Sequence, residues 1–269
     1  MKSASLSRSR PRRSTPTADL HIFAVAGIPD VTPGADLAAL IAGAAARASC
    51  GIDAGDVVVV AQKIVSKAEG ALVRLEDVVP SPRAEQWAAA HGKDPRAVEV
   101  ILRESRRIVR MERGILIAET RHGFVCANAG VDASNMAPGF VTLLPRDPDA
   151  SAERLRDGLC TVALSGSPHG CAVIISDSFG RPWREGAVDV ALGVAGLRPL
   201  VDYRGCLDPY GRRLESSVTA LADELAGAAE IVMRKTARTP VAIVRGAGEW
   251  CGDGTGRQLV RDAHRDLFR

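Results

Sequence analysis

A carboxylate, two hydroxyls and two arginines follow a short apolar run in the second half of the sequence. Residues 172–175 are small or β-branched, which predicts a buried strand that ends near residue 175. Asp177 and Ser178 come directly after it, and oxygen ligands of this kind bind Mg²⁺ or Mn²⁺. Arg181 and Arg184 lie just beyond and suit a phosphate or a carboxylate. A strand followed by a solvated polar turn would give the same pattern, so this stretch alone leaves both interpretations open.

Two lysines follow a second apolar run, Val57–Val60, in which every residue is valine. Lys63 and Lys67 are four positions apart, so they share one side of the chain whether the segment is helical or extended. Ligands of α/β proteins bind beyond the carboxyl ends of buried strands. The two lysines are therefore candidates for a ligand site, although this feature alone favours a solvated charged loop.

A third group of polar side chains lies between residues 132 and 135. Asp132, Ser134 and Asn135 supply three oxygen-bearing side chains within four positions. This set suits a cation or a nucleotide, but it is equally typical of an Asx turn, and the spacing alone favours the turn.

Familiar nucleotide and hydrolase motifs are absent from the sequence: there is no Walker sequence, dinucleotide glycine fingerprint, nucleophile elbow or zinc-protease helix. Arg245 and Gly246 end a third apolar run and add another polar loop. His122 and Cys126 would make a base and a nucleophile, but buried structural roles are favoured for both. The residues by themselves therefore predict an α/β enzyme that binds metal and phosphate.

The elements that must position these groups alternate between strands and helices. A strand at 20–25, a helix at 37–48 capped by Asp36, and the valine strand predict an α/β layer. Further predicted elements are helices at 81–92 and 95–107, a hairpin of 108–111 with 114–118, a strand end at 143–145, a helix capped by Asp149 or Ser151 and running to 159, a strand at 188–194, a helix from Ser216 or Ser217 to about 235, and a strand at 241–244.

Composition places the chain among ordinary globular proteins. It has 269 residues, 46% of them hydrophobic and 25% charged, with a net charge of +3 that is too small to indicate nucleic acid. The 6 cysteines form no C-x-x-C pair, and no run is long enough to span a membrane, which favours the cytoplasm. Residues 1–19 are predicted to be a disordered basic tail and residues 248–269 a loose C-terminal tail.

Long blocks of the sequence resemble the coenzyme F420-0:L-glutamate ligase family. The most specific are VVAQKIVSKAEG at 59–70 and ISDSFGRPWR at 175–184. The others, in the order of the family, are 27–30 with 33–37, 93–96, 122–135, 143–149, 202–205, 222–226 and 240–246. Together they cover roughly residues 20 to 247, the span that we expect to form the ligase domain.

The resemblance implies a mixed α/β fold of two subdomains with mixed sheets, assembled as an intertwined homodimer. It implies two divalent cations per subunit, Mg²⁺ or Mn²⁺, with K⁺ as a further candidate; their ligands would be Asp132, Asp177 and Ser178, the last usually threonine in the family. It also implies guanine-nucleotide contacts at Ile28, Pro29, Asp30, Val31, Gln62, Lys63, Lys67 and Asn135, and a further nucleotide segment at Met233, Arg234 and Lys235. The family usually has glycine at position 234, so close approach of the backbone to the nucleotide is in question there.

The activity implied by the resemblance is GTP-dependent, GDP-forming amide ligation in coenzyme biosynthesis. L-glutamate would be joined to the phospholactate carboxylate of coenzyme F420-0 through an acyl phosphate, and further γ-linked glutamates would extend the product. Asp132 and Asp177 would bridge the metals, and we expect Arg181 or Arg184 to hold a substrate carboxylate. The alternatives are a non-catalytic guanine-nucleotide and metal-binding paralogue and a metal-dependent phosphohydrolase.

Overall fold

The computed structural model describes residues 19–164 and 170–267. The predicted basic tail at 1–19 therefore lies outside the described residues, apart from its last position. No helix within the described ranges is long and apolar enough to cross a membrane.

Strands occur along the whole described chain. They are β1 (His21–Ala24), β2 (Val57–Ala61), β3 (Leu72–Arg74), β4 (Ser105–Glu112), β5 (Ile115–Thr120), β6 (Val125–Ala127), β7 (Phe140–Thr142), β8 (Ala172–Arg181), β9 (Arg184–Ala195), β10 (Val201–Asp202), β11 (Val218–Thr219) and β12 (Val241–Arg245).

Six α-helices connect these strands within the described part of the chain. They are α1 (Leu37–Arg47), α2 (Gln62–Ala68), α3 (Pro82–His91), α4 (Pro95–Glu104), α5 (Pro148–Ala163) and α6 (Leu221–Met233).

A five-stranded mixed sheet in the order β1-β12-β2-β8-β9 organises the fold. β2 and β8 run parallel, and the other neighbouring pairs are antiparallel. Smaller antiparallel sheets are formed by β4-β5-β6, β3-β7 and β10-β11. The predicted mixed α/β class is confirmed, whereas the two subdomains, the dimer and the domain limits stay predictions.

Both faces of the central sheet are covered, which explains a strand made of consecutive valines. Val58 and Val60 pack on one side in a cluster that includes Ile41 of α1 and Leu159 of α5. Val57 and Val59 pack on the other side in a cluster that contains the apolar face of α6. A separate core lies between α4 and the sheet that contains β5.

The helix ends follow local capping chemistry only in part. Asp36 caps α1, as predicted, by accepting a hydrogen bond from the backbone N–H of Ala39 at 3.0 Å. α5 begins earlier than predicted and runs on to Ala163, because Asp147 caps it and Pro148 occupies its first turn. Asp149, one of the two predicted caps, instead accepts from the backbone N–H of Val194 at 2.9 Å.

Tertiary strand pairing moves three other boundaries. The helix predicted to reach residue 107 ends at Glu104, because β4 begins at Ser105 and pairs with β5. The helix predicted from residue 216 or 217 starts at Leu221, because β11 pairs with β10 just before it. The strand predicted at 143–145 lies instead at Phe140–Thr142, where it pairs with β3.

β8 is much longer than the predicted strand. It continues through Asp177 and Ser178 to Arg181, because the antiparallel partner β9 supplies hydrogen bonds along its whole length. The register shifts twice, once near the hairpin tip between Gly180 and Arg181 and once between Ile175 and Ser176. At the second shift Ile175 faces Gly193 but Ser176 faces Ala191, so Leu192 is an extra residue in a β-bulge. Beyond the bulge Ser178 faces Asp189.

Gly193 beside the bulge allows α5 to approach the sheet closely. A Cβ atom at this position would lie 2.1 Å from the carbonyl oxygen of Pro148, a backbone atom that cannot move aside easily. The absence of a side chain here therefore fixes where α5 sits on β9.

Part of the C-terminal segment packs against the same region. Gly256 is buried, and its backbone N–H donates to the Asp149 carboxylate at 2.6 Å. The N–H of Arg257 donates to the other oxygen of Asp149 at 3.2 Å. Residues 256–257, expected in a loose tail, are therefore anchored to the start of α5.

Arg245 lies at the end of the central sheet opposite to Lys63 and Lys67. Its guanidinium contacts Asp56 in two places, at 3.0 and 2.8 Å, and lies 5.4 Å above the ring of Phe23. The Asp56 side chain is only 2% exposed. β12 is antiparallel to β2, so the end of β12 lies beside the start of β2, and Arg245 is structural rather than part of the ligand loops where the sequence had placed it.

We expect Arg245→Met to lower the free energy of unfolding by about 3 kcal/mol, because it leaves the buried Asp56 carboxylate without its cation. Urea denaturation followed by circular dichroism measures the change. Arg204→Met is the control, since Arg204 pairs with Asp202 where both side chains are about half exposed, and it should cost less than about 1 kcal/mol. Equal losses in the two variants would contradict a special role for the buried pair.

Candidate active site

Four chain segments meet at one edge of the central sheet, which we call the carboxyl edge. β1, β2 and β8 run towards this edge, and antiparallel β12 begins there. β8 extends past the end of β2, whose last residue, Ala61, pairs with Ser176. Asp177 and Ser178 therefore project beyond the neighbouring strand.

A cavity of about 630 Å³ opens at the carboxyl edge. Its walls come from the loop after β1, the start of α2, the loop that carries Asp132, the outer parts of β8 and β9, and the segment between α6 and β12. The lining residues are Ile28, Pro29, Asp30, Val31, Ala61, Gln62, Lys63, Ile64, Lys67, Asp132, Ser134, Asn135, Met136, Ala137, Ser176, Asp177, Ser178, Asp189, Glu230, Met233, Arg234, Lys235, Thr236, Arg238, Thr239 and Pro240.

Asp189 on β9 organises the bottom of the cavity. It is 5% exposed and accepts hydrogen bonds from the hydroxyls of Ser176 at 2.9 Å and Ser178 at 2.5 Å. The ammonium of Lys235 donates to the Ser178 hydroxyl and lies 3.9 Å from Asp189 Oδ1. Asp189 therefore accepts hydrogen bonds from both serine hydroxyls, and these bonds fix the direction of the lone pairs on the two serine oxygens.

Asp177 lies between the two serines and points to the other side of β8. Burial, helped by the negative charges of Asp189 and Asp132, raises the pKa of this carboxyl to about 6, against the lowering effects of a hydrogen bond from the Ser178 backbone and of the Lys235 charge. A half-buried acid with two acidic neighbours gains stability when a cation joins it.

Asp132 reaches the cavity from outside the central sheet. Its backbone pairs with Thr142, and its side chain accepts from the backbone N–H of Ser134 at 2.7 Å, which is the predicted Asx turn. Lys63 donates to the carboxylate at 2.6 Å. Burial raises the pKa of Asp132, but the hydrogen bonds from Lys63 and Ser134 outweigh it, and the net pKa is lowered.

Acidic and basic side chains are equally numerous around the cavity. The acids are Asp30, Asp132, Asp177, Asp189 and Glu230, and the bases are Lys63, Lys67, Arg234, Lys235 and Arg238.

Lys63 and Lys67 lie on helix α2, so the segment that follows the valine strand is helical rather than extended. Lys67 donates to the backbone carbonyl of Asn135 at 3.1 Å.

Two features of the segment between α6 and β12 shape the mouth of the cavity. Arg234 ends α6 with φ +56° and ψ 149°, a conformation that glycine adopts easily and that other residues adopt only with strain. Arg238 pairs with Asp30 across the opening at 2.8 Å, with both side chains more than 80% exposed.

Most of the predicted site residues are brought together in this cavity, but the two arginines are not. Arg181 lies at the tip of the β8–β9 hairpin and donates to the carbonyls of Glu185 and Gly186 at 2.6 and 3.3 Å. Arg184 is exposed at the start of β9. Neither arginine lines the cavity.

Sequence reasoning missed Asp189, the acid that the two serines contact. The available signal was a charged residue inside the apolar run from Val188 to Val194.

Cys126, a candidate nucleophile in the sequence, is buried, and burial together with the charge of Asp177 raises its pKa to about 12. Its thiol stays protonated at neutral pH, which fits the structural role favoured from the sequence.

The donor types fit a divalent cation, although a complete ligand set is not preassembled. Asp132, Asp177 and Ser178 offer the hard oxygens that Mg²⁺ and Mn²⁺ prefer. Among the described residues, no three His, Cys, Asp or Glu side chains are grouped closely enough to hold a metal ion. A cation is favoured here because the Asp177 carboxyl is largely buried, has two acids near it and has no salt-bridge partner among the described residues.

In metal-free protein, Asp177→Asn should raise the melting temperature at pH 7.5 and change it little near pH 4. The reason is that the folded-state pKa of about 6 lies above the ordinary pKa of an aspartate, so the folded state loses stability as pH rises through this window. Differential scanning fluorimetry in EDTA measures the shift.

The control for this measurement is Asp202→Asn. Arg204 holds the pKa of the exposed Asp202 at about 2, so any effect of this substitution should have the opposite sign. A melting temperature of Asp177→Asn that is equal to or below the wild-type value at pH 7.5 would contradict the unfavourable ionisation of Asp177.

Comparison with known proteins gives a family assignment that covers the whole cavity. The sequence profile described as F420-0:Gamma-glutamyl ligase matches residues 27–246, a span that contains every lining residue.

Full-length relatives carry matching names. A protein of Methanothermobacter thermautotrophicus named Coenzyme F420:L-glutamate ligase is 47% identical over 253 residues, which are 93% of this chain and 99% of the relative. A protein of the same name from Methanopyrus kandleri is 49% identical over 244 residues, 89% of this chain and 93% of the relative. A third, from Methanocaldococcus jannaschii, is 45% identical over 219 residues, 81% of this chain and 86% of the relative. With a profile that spans most of its length and relatives this similar from end to end, the chain belongs to the F420-0:gamma-glutamyl ligase family.

Proposed function

We propose that this protein joins L-glutamate to the phospholactate carboxylate of coenzyme F420-0 and uses GTP as the phosphoryl donor. The observation that carries the proposal is that family similarity and the cavity coincide: the matched span contains all the lining residues. The names of relatives more than 45% identical supply the substrate class, coenzyme F420 and L-glutamate.

The reaction must first activate a carboxylate, because a carboxylate repels nucleophiles and has no usable leaving group. In the proposed sequence the γ-phosphoryl group of GTP passes to the carboxylate oxygen and GDP leaves. The amine of glutamate then attacks the acyl carbon, the carbon–oxygen bond to phosphate breaks, and the nitrogen loses a proton. Inorganic phosphate is released and an amide remains.

Two segments of the cavity wall carry many of the proposed nucleotide contacts. One is the loop after β1 with Ile28, Pro29, Asp30 and Val31, and the other is the segment that starts with Met233. Gln62 is 2% exposed and accepts from the Ser66 hydroxyl at 2.8 Å, so it is fixed within α2. A side chain that is already fixed loses little further conformational entropy when a nucleotide binds.

The lysines on α2 are suited to the phosphates, although they are held differently. Lys63 has three acceptors, the Asp132 carboxylate and both oxygens of Ser134, within 2.8 Å. Lys67 contacts only the carbonyl of Asn135 among the described residues, at 3.1 Å. We therefore assign Lys63 to holding the Asp132 loop in place and Lys67 to the direct neutralisation of phosphate charge.

The residues that would hold a divalent cation are Asp177 and Asp132, with Ser178 beside them. When bound, such a cation offsets the negative charge of the phosphates during transfer. Because acids and bases around the cavity are equal in number, the side chains alone do not balance a nucleotide triphosphate, and an additional cation is expected.

We also propose a homodimer in the cytoplasm. Large side chains on the β8–β9 hairpin and on the loop between β10 and β11 are exposed, including Trp183 at 81% and Tyr210 at 95%. Exposed aromatic residues of this size are common where a second chain binds.

The activity is tested by incubating the protein with GTP, Mn²⁺, coenzyme F420-0 and L-glutamate. Mass spectrometry should find glutamylated coenzyme, and GDP should form in equal amount. Phosphate release without glutamylation would favour a phosphohydrolase, and nucleotide binding without turnover would favour a non-catalytic paralogue. Either result overturns the proposed activity.

Lys67→Met should weaken binding of a non-hydrolysable GTP analogue by roughly 1.5–3 kcal/mol, the range for a hydrogen bond to a charged group. The methionine keeps the apolar stem and removes the ammonium. Lys67→Arg should have a smaller but measurable effect, because a planar fork replaces a compact charge. Isothermal titration calorimetry at fixed Mn²⁺ gives both values.

The matched control is Lys93→Met, which removes the same charge from an exposed lysine outside the cavity. It should change the affinity by less than about 0.5 kcal/mol. If Lys67→Met binds as tightly as the Lys93 control, Lys67 does not contact the phosphates.

A further inference from the structure

The ammonium of Lys235 lies beside the oxygens of Ser178 and Asp189, at a place that a metal cation could otherwise occupy. α6 ends at Met233, and after the turn at Arg234 the Lys235 side chain enters the cavity. Its Nζ atom donates to the Ser178 hydroxyl and lies 3.9 Å from Asp189 Oδ1. The ammonium is thus part of the cluster at the bottom of the cavity.

This contact changes what Ser178 can offer to a metal. A hydroxyl has one proton and two lone pairs. The proton of Ser178 is donated to Asp189 at 2.5 Å, and the oxygen accepts from Lys235. A divalent ion on Ser178 would compete with the ammonium for the oxygen and would be repelled by its charge.

The other side of the cluster has a different charge balance. Asp132 is paired with Lys63 at 2.6 Å. Among the described residues no salt bridge joins Asp177 to a basic side chain, whereas Lys235 lies 3.9 Å from Asp189. Of the three carboxylates, Asp177 is therefore the one without a cation at ion-pair distance.

We propose that this protein binds one divalent cation per chain, at Asp177 with Asp132, and that the ammonium of Lys235 supplies the positive charge at Ser178 and Asp189 in place of the second metal implied by the family resemblance. The inference rests on the proposed function, because it concerns how the same cavity balances the charge of a polyphosphate. It assigns Lys235 a charge-balancing role and makes Asp189 the positioning residue that fixes the Ser178 hydroxyl.

The test counts Mn²⁺ ions in the full-length protein with GDP present. Equilibrium dialysis with equal GDP on both sides gives the metal bound per chain, and electron paramagnetic resonance distinguishes an isolated ion from an exchange-coupled pair. Wild-type protein should bind one ion with an isolated-ion spectrum. Lys235→Glu, which replaces the ammonium with an oxygen ligand, should bind two ions that are coupled.

The control is Lys93→Glu, which makes the same charge change outside the cavity and should leave one ion bound. The Lys235 side chain is 66% exposed, so its replacement should not prevent folding, and a melting curve checks this. Two coupled ions in the wild type, or a single ion in Lys235→Glu, would overturn the proposal.

Failure of this inference is distinguishable from failure of the proposed function. Glutamylated coenzyme formed by a protein that binds two ions keeps the ligase activity and removes the role of Lys235. One bound ion in a protein that forms no glutamylated coenzyme keeps the charge replacement and removes the activity.

Discussion

The compensation of three acidic side chains governs the arrangement of the cavity. Asp132 comes from outside the central sheet, while Asp177 and Asp189 lie on the paired strands β8 and β9. Asp132 is compensated by Lys63, and Asp189 by two hydroxyl donors with Lys235 nearby. Asp177 has no salt-bridge partner among the described residues, and the charges of the other two acids oppose its ionisation. Stability is supplied elsewhere, by the two apolar layers and the ion pair of Arg245 at the opposite edge.

The topology explains why residues far apart in sequence meet at this point. The loops after β1 and β2 lie at the carboxyl edge because both strands run parallel to β8, and the segment before β12 reaches it because β12 is antiparallel. The resulting site therefore combines strand ends of both orientations. This arrangement resembles the crevice sites of open α/β sheets but includes an antiparallel strand, β12, between β1 and β2.

Sequence patterns were sufficient where the determinants are local. The valine strand, the Asp36 cap and the Asx turn at Asp132 follow from short-range chemistry and are present in the structure. The full length of β8 and the start of α6 were mispredicted, because each depends on a distant pairing partner. Asp189 and the contact of Lys235 escaped notice for the same reason: neither has a sequence neighbour that indicates its partner.

The bulge at Leu192 determines which side chain of β9 lies opposite Ser178. Without the bulge, continuation of the Ile175–Gly193 register through an unchanged sequence would place Val190, not Asp189, opposite Ser178. The inward and outward side chains of β9 beyond Gly193 would then be exchanged. The hydrogen bonds of the serine hydroxyls thus depend on an irregularity of the main chain, and a substitution that favours regular pairing at the bulge would disturb them without touching Asp189.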